Sequence, residues 1–157
     1  MPENDSMCHE MDIYYRTLED RPDIGWFLQG HIVVEYMLRK RLCDVQGGAS
    51  KNLDKSGFHK VLLESERHGV VNNDQRVVLE KINKVRNKYA HDLNYIPELE
   101  EWLDIWRSAK GAFSDMTDGI EQGLEELESV EKLEDADRFH LNELFVQICH
   151  DLLPSQV

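Results

Sequence analysis

The distribution of proline is the feature of this sequence that most constrains its fold. Proline occurs only at positions 2, 22, 97 and 154, so the 74 residues between Pro22 and Pro97 contain none. Proline inside a helix removes a hydrogen bond and clashes with the preceding turn, so a stretch without it permits long helices. No segment alternates apolar and polar residues convincingly, and no internal repeat is visible. We therefore predict an all-α fold.

Apolar residues at intervals of three and four predict a bundle of about five or six helices in a single domain spanning residues 1–157. We expect Asp20 to cap a long, central helix, Gly69 to end the next one, and Asn72 or Asn73 to cap the third. Residues 8 and 9 are expected to lie in a mobile terminus. The predicted helices are 24–43, 55–68, 72 to about 91–95, a helix from Pro97 with an apolar seam from Leu99 to Ile120, and a last helix after Asp137.

The charge of the chain is unevenly distributed. The net charge is −13, and residues 111–157 hold 12 acids and 2 bases. Such a field repels nucleic acid, so a nucleic-acid site requires a local basic patch in residues 1–110. Ten of the acids lie between Asp115 and Asp137. This acidic segment is interpreted either as packing against the basic patch and competing with a polyanion, or as a solvated helix face.

The remaining composition points to a cytoplasmic protein without a metal or other cofactor. No run of about 18 apolar residues is present, and the acidic, polar start is unlike a secretory signal. The three cysteines are an odd, scattered set, so we expect free thiols. The spacing of His140, Cys149 and His150 is not that of a zinc site, and no glycine-rich phosphate loop is found.

The stretch from Lys81 to His91 is a local basic patch of the kind that a nucleic-acid site would require in this acidic chain. It contains four permanent cations and no acid, while Ile82, Val85 and Tyr89 fall on one apolar face. The helix is therefore expected to be anchored by that face and to present its basic groups outward. The simplest interpretation is a solvated face that balances acidic neighbours.

The segment R-N-K-Y-A-H at 86–91 resembles the R-x-x-x-x-H signature of the HEPN superfamily, including the polar residue after the arginine. The preceding order is also similar: a long apolar helix with an embedded acid at Glu35, a shorter helix around 58–63, and then the motif near the end of a third. This order resembles HEPN-like proteins related to the mannitol operon repressor family. The resemblance covers about residues 20–96, and the C-terminal helices of 97–157 match nothing.

The resemblance implies a metal-independent endoribonuclease of the toxin or defence type. It implies that Arg86 stabilises charge on the scissile phosphate, that His91 transfers a proton, and that Asn87 orients the phosphate or the histidine. The alternatives are a non-catalytic HEPN-like regulator that binds protein or nucleic acid, and a structural interaction protein that uses the acidic segment. A protein partner such as an antitoxin is also implied. The residues expected to bind RNA are Lys81, Lys84 and Lys88.

The motif spacing points to a homodimer. Five residues of regular helix rotate by about 500°, which leaves Arg86 and His91 about 140° apart. Either the helix ends before His91, or a second copy completes the site. HEPN proteins are commonly dimers, and the apolar seam from Leu99 to Ile120 offers a surface for one.

Two further polar residues lie on the central helix. His31 and Glu35 are four residues apart, on a face that is otherwise apolar. A buried carboxylate requires a partner. The two interpretations are a local His31–Glu35 hydrogen bond in the core, and a supporting role in which Glu35 pairs with Arg86 or assists His91.

Overall fold

A computed structural model describes residues 2–47 and 57–154, and these residues form seven α-helices, one 3₁₀ turn and no β-strand. The all-α prediction is confirmed. None of the described helices is long and apolar enough to cross a bilayer. The elements are α1 (Pro2–Glu19), α2 (Pro22–Val45), α3 (Phe58–Arg67), α4 (Asn73–His91), α5 (Leu99–Ala112), α6 (Gly119–Ser129), the 3₁₀ turn Leu133–Asp135 and α7 (Arg138–Leu152).

Helix α2 is central, as its apolar sequence predicts. It packs against α3, α4 and α7, while α5 joins α4 to α6 and α6 packs on α7. The ring of Phe27 on α2 lies 5.0 Å from Trp102, 5.3 Å from Phe145 and 5.5 Å from Tyr89, measured between ring centroids. One aromatic side chain therefore ties together α2, α4, α5 and α7.

Local side-chain and backbone features fix the ends of several helices, including the predicted features at Asn72 and Gly69. Asn72 caps α4, because its Oδ1 accepts the amide of Gln75 at 2.8 Å and the Gln75 side chain accepts the amide of Asn72 at 3.0 Å. Gly69 follows α3 with a φ of +74°, a conformation that glycine adopts without strain. Asp137 caps α7 by accepting the amide of Phe139 at 2.9 Å. Residues 48–56, which include the predicted start of the second helix, lie outside the described residues.

The N-terminal end differs from the prediction in two ways. Residues Pro2–Glu19 form a helix that was not predicted. Asp20 is not the cap of α2, because α2 starts at Pro22 and Arg21 takes the cap position. The guanidinium of Arg21 lies 3.1 Å from both carboxylate oxygens of Asp23 and donates to the carbonyl oxygen of Tyr95 at 2.8 Å. The start of α2 is thus held by a side chain that reaches across to the segment after α4.

The predicted seam from Leu99 to Ile120 is divided between two helices. The chain leaves α5 at Ala112, and Asp115 adopts a φ of +51°. Its carboxylate accepts the amides of Ile120 at 2.7 Å and Glu121 at 3.0 Å, which satisfies donors at the start of α6. Trp102, Trp106 and Ile120 are buried in the chain's own core. The seam is therefore core, and it does not provide the dimer surface expected of it.

The acidic segment, residues 115–137, packs as α6 against α5 and α7. Its ion pairs with α5 join Glu121 to Lys110 at 3.3 Å and Glu128 to Arg107 at 3.9 Å. Within the ranges that the structure describes, no ion pair joins this segment to residues 81–91. The prediction that the acidic segment packs against the basic helix is therefore wrong. The segment is better described as a partly solvated helix face.

Candidate functional site

Helix α4 is anchored in the core by the apolar face that its sequence predicts. Ile82, Val85 and Tyr89 are buried. The hydroxyl of Tyr89 donates to Asp23 at 2.9 Å. Burial alone would raise the pKa of Asp23, but hydrogen bonds from Arg21 and Tyr89 lower it below its ordinary value. Asp23 is thus a charged acceptor that fixes the last turns of α4 against α2.

Two of the three lysines predicted to bind RNA are engaged with α5. The Nζ of Lys81 lies 2.9 Å from an Asp104 carboxylate oxygen and donates to Ser108. The Nζ of Lys88 lies 2.9 Å from an oxygen of Glu101 and 5.3 Å from the centroid of the Tyr95 ring. These lysines stabilise the contact between α4 and α5.

The motif residues of α4 are not engaged with α5 in this way. Arg86 is half-buried, and its Nη1 donates to Oδ1 of Asn87 at 3.2 Å. Asn87, His91 and Lys84 are exposed, and their spacing of three and four places them on one face of the helix. Among the described residues, none of these four side chains has a carboxylate partner. These four side chains (Lys84, Arg86, Asn87 and His91) are here called the motif row, although Arg86 lies on a different face of α4 from the other three.

The helix does not end before His91. It continues through His91, and the amide of Asp92 still donates to the carbonyl of Lys88 at 3.0 Å. The rotation of about 140° between the Arg86 and His91 side chains therefore applies. A single copy directs the guanidinium and the imidazole to different sides of α4.

Beside Arg86, residues of α2 and α4 form a half-buried polar cluster. Nε2 of His31 lies 3.2 Å from Oδ1 of Asn83, and its Nδ1 lies 3.8 Å from Glu35. Glu35 in turn accepts from Arg39, at 2.8 Å. We call this group the α2–α4 polar cluster (His31, Glu35, Arg39, Asn83 and Arg86).

The cluster matches neither interpretation of His31 and Glu35, because the two side chains are 3.8 Å apart, too far for a hydrogen bond. The ion pair of Glu35 is with Arg39, and none is formed with Arg86. Burial lowers the pKa of His31, and the positive charge of Arg86 lowers it further against the opposing effects of Glu35 and Asn83. His31 is therefore a neutral, hydrogen-bonded core histidine that senses the charge of Arg86.

Sequence reasoning missed two members of this cluster. Asn83 lies three residues before Arg86, and Arg39 lies four residues after Glu35. Helical spacing places each of them beside a residue that was singled out, so the signal was present. The spacing does not show that the face of α2 with Glu35 packs against the face of α4 with Asn83.

Comparison of the chain with protein-family models, with curated proteins and with solved structures gives no significant match. Within residues 2–47 and 57–154, no group of three or more His, Cys, Asp or Glu side chains is placed to hold a metal ion. The resemblance to the HEPN superfamily therefore depends on the motif and on the order of the helices.

Proposed function

We propose that this chain is a HEPN-like, metal-independent endoribonuclease of the toxin or defence type that acts as a homodimer in the cytoplasm. One observation carries the proposal. Lys81 and Lys88 are neutralised by carboxylates of α5, whereas Arg86, Asn87 and His91 have no carboxylate partner among the described residues. Along α4, in a chain of net charge −13, the motif positions are therefore left available to an anion.

The motif row has the chemistry that RNA cleavage needs. A guanidinium offers a planar fork of donors matched to phosphate oxygens, so Arg86 stabilises charge that develops on the phosphorane. An imidazole can both accept and donate a proton, so His91 takes the proton of the 2′-hydroxyl or supplies one to the leaving 5′-oxygen. The 2′-oxygen forms a bond to phosphorus while the bond to the 5′-oxygen breaks. Asn87 holds the guanidinium, and Lys84 contacts the neighbouring phosphate.

The divergence of Arg86 and His91 on one helix supports a composite site. A second copy related by a two-fold axis brings the His91 of one α4 beside the Arg86 of the other. Two equivalent sites then form, each with a guanidinium and an imidazole on opposite sides of one phosphate.

The test is cleavage of single-stranded RNA by the purified chain in EDTA. Arg86→Ala and His91→Ala are each expected to lower the rate at least ~100-fold, because each removes transition-state stabilisation or proton transfer. Lys88→Ala is the matched control on the same helix, and it is expected to leave the rate within about 3-fold. Circular dichroism checks that each variant is folded. Unchanged cleavage by His91→Ala would show that the assignment is wrong.

Mixing the two inactive variants tests the composite site. If Arg86 and His91 act from different copies, a random mixture regains about a quarter of wild-type activity, because half of the dimers are mixed and each has one intact site. No recovery contradicts the two-copy arrangement. A wild type that binds RNA without cleaving it would indicate the non-catalytic HEPN-like regulator instead. Host cells that tolerate expression of the wild type as well as expression of His91→Ala would favour the same alternative.

A further inference from the structure

Helix α1 presents an apolar stripe that residues 2–47 and 57–154 do not cover. The stripe consists of Met11, Tyr14, Tyr15 and Leu18, spaced so that all four fall on one face. All four are exposed, Tyr15 by 58% and Leu18 by 81% of the residue surface. Three of the five acids of this helix, Glu10, Asp12 and Glu19, flank the stripe on both sides.

The position of α1 explains why the stripe is uncovered. Two residues, Asp20 and Arg21, join α1 to α2, and the side chain of Arg21 is bound by Asp23 and the Tyr95 carbonyl. The helix pairs with extensive contacts in the described chain all lie within α2 to α7, and α1 is not among them. The described residues therefore leave the apolar stripe of α1 exposed.

The same chain has an apolar groove of the form that accepts such a helix. It lies between α2 and α7 and encloses about 470 Å³. Its floor is the Phe145 ring against Gly30, where even a methyl group on Gly30 would lie 2.4 Å from the ring. Val33 and Leu153 form its edges and are 49% and 55% exposed. Ile32 and Tyr36, both exposed, extend the apolar surface along α2.

Charge around the groove is complementary to α1. Lys40 and Arg41 follow Tyr36 and Met37 by one turn of α2, and Met37 lines the groove. Within the described part of the chain, neither cation forms an ion pair. An acidic helix seated in the groove places carboxylates near Lys40 and Arg41. Ion pairs formed there across the interface favour one orientation of the docked α1 over the reverse.

We propose that the α1 stripe of one copy docks in the α2–α7 groove of a second copy, which returns the same contact. An 18-residue helix is about 27 Å long, and α2 is longer, so the stripe fits along the groove. The reciprocal exchange covers both apolar surfaces in both chains by one isologous contact. The inference does not rest on RNA cleavage, because association is measured without RNA.

Sedimentation equilibrium of the full chain across the micromolar range tests the exchange. The wild type is expected to form a dimer of twice 18.4 kDa. Leu18→Asp on α1 and Val33→Asp in the groove are each expected to weaken it about 10- to 100-fold, because each places a charge in an apolar contact. Leu63→Asp is the matched control, since Leu63 is exposed on α3 away from both surfaces. Leu18 is so exposed that its variant keeps the fold of the monomer.

A mixture of the two variants separates this exchange from any other dimer. The Leu18→Asp chain retains an intact groove and the Val33→Asp chain an intact α1, so the mixture has one native contact that neither variant has alone. We expect the mixture to associate more tightly than either variant by itself. A mixture that remains as weak as its components overturns the proposal. A wild type that sediments at 18.4 kDa throughout also overturns the proposal. In that case α1 is covered by its own chain or by a different protein.

Discussion

The two edges of α4 carry similar side chains and use them differently. On the edge toward α5, Lys81 and Lys88 each lie 2.9 Å from a carboxylate oxygen, of Asp104 and Glu101. On the edge toward α2 and solvent, Arg86 bonds only an amide oxygen of α4 and has no carboxylate partner among the described residues. One edge is a structural contact between helices, and the other leaves its charge available.

The difference shows that a count of cations is a poor guide to an anion site. The sequence from 81 to 91 contains four permanent cations, but two of them are already balanced in the fold. A cation paired at the surface contributes little to stability, about 0.2–1 kcal/mol, but it also offers little to a phosphate. Availability of the charge, and the geometry of its donors, distinguish the motif row from its neighbours.

The strongest test of the difference between the two edges exchanges arginine and lysine at positions 86 and 88, which keeps the charge at each. Arg86→Lys is expected to slow RNA cleavage about 10- to 100-fold, because an ammonium cannot donate two parallel hydrogen bonds to a phosphate. Lys88→Arg preserves the pairing with Glu101 and is expected to leave the rate unchanged. Single-turnover cleavage assays measure both. Equal rates for the two variants would mean that Arg86 acts only as a charge.

The sequence displays the spacing of the motif residues directly, but it does not display the pairing of Lys81 and Lys88. Arg86, Asn87 and His91 are marked by a spacing within one helix, which the sequence displays directly. The partners of Lys81 and Lys88 lie 23 and 13 residues downstream, on a different helix. Whether α5 presents its acids to α4 depends on how two helices pack, and periodicity does not determine that.

The fold shows the same division between local and distant causes. Asn72 and Gly69 act within one turn of their own position, and both were predicted correctly. The break between α5 and α6 depends on Asp115, whose backbone turns to a positive φ so that its carboxylate reaches the amide of Ile120. Helix α1 was missed because its acidic start indicated a mobile terminus, although its apolar stripe has helical spacing.

A smaller effect should distinguish the two edges by stability. Glu101 accepts from Lys88 at 2.9 Å, from the hydroxyl of Tyr95 at 3.0 Å and from the amide of Glu98 at 3.3 Å. Glu101→Ala is expected to lower the free energy of unfolding by about 1–2 kcal/mol, because it leaves these donors unpaired. Arg86→Ala is expected to change it by less than about 0.5 kcal/mol. Urea denaturation measures both, and a larger loss for Arg86→Ala would reverse the assignment of the two edges.

The smallest expected effect concerns His31, which reports on the charge of the open edge. Burial lowers the pKa of His31 below its ordinary value of 6.5. Glu35 and Asn83 oppose this shift, and the positive charge of Arg86 adds a smaller lowering. In the unfolded chain the imidazole titrates at its ordinary value. As the pH falls through 6.5, the unfolded chain therefore binds a proton that the native chain does not, and the free energy of unfolding decreases.

Removing the charge of Arg86 should weaken this dependence. Arg86→Ala takes away a cation that disfavours protonated His31, so the pKa of His31 rises and part of the stability lost at acid pH is regained. Lys88→Ala, on the opposite edge, is expected to have no such effect. The imidazole resonance of His31 gives the pKa by NMR titration, and His31→Gln separates its contribution from those of the other histidines. The contrary result is a His31 pKa that is the same in Arg86→Ala, Lys88→Ala and the wild type. It would mean that the charge of Arg86 does not act on His31, and that the two edges of α4 do not differ in their electrostatic effect on this residue.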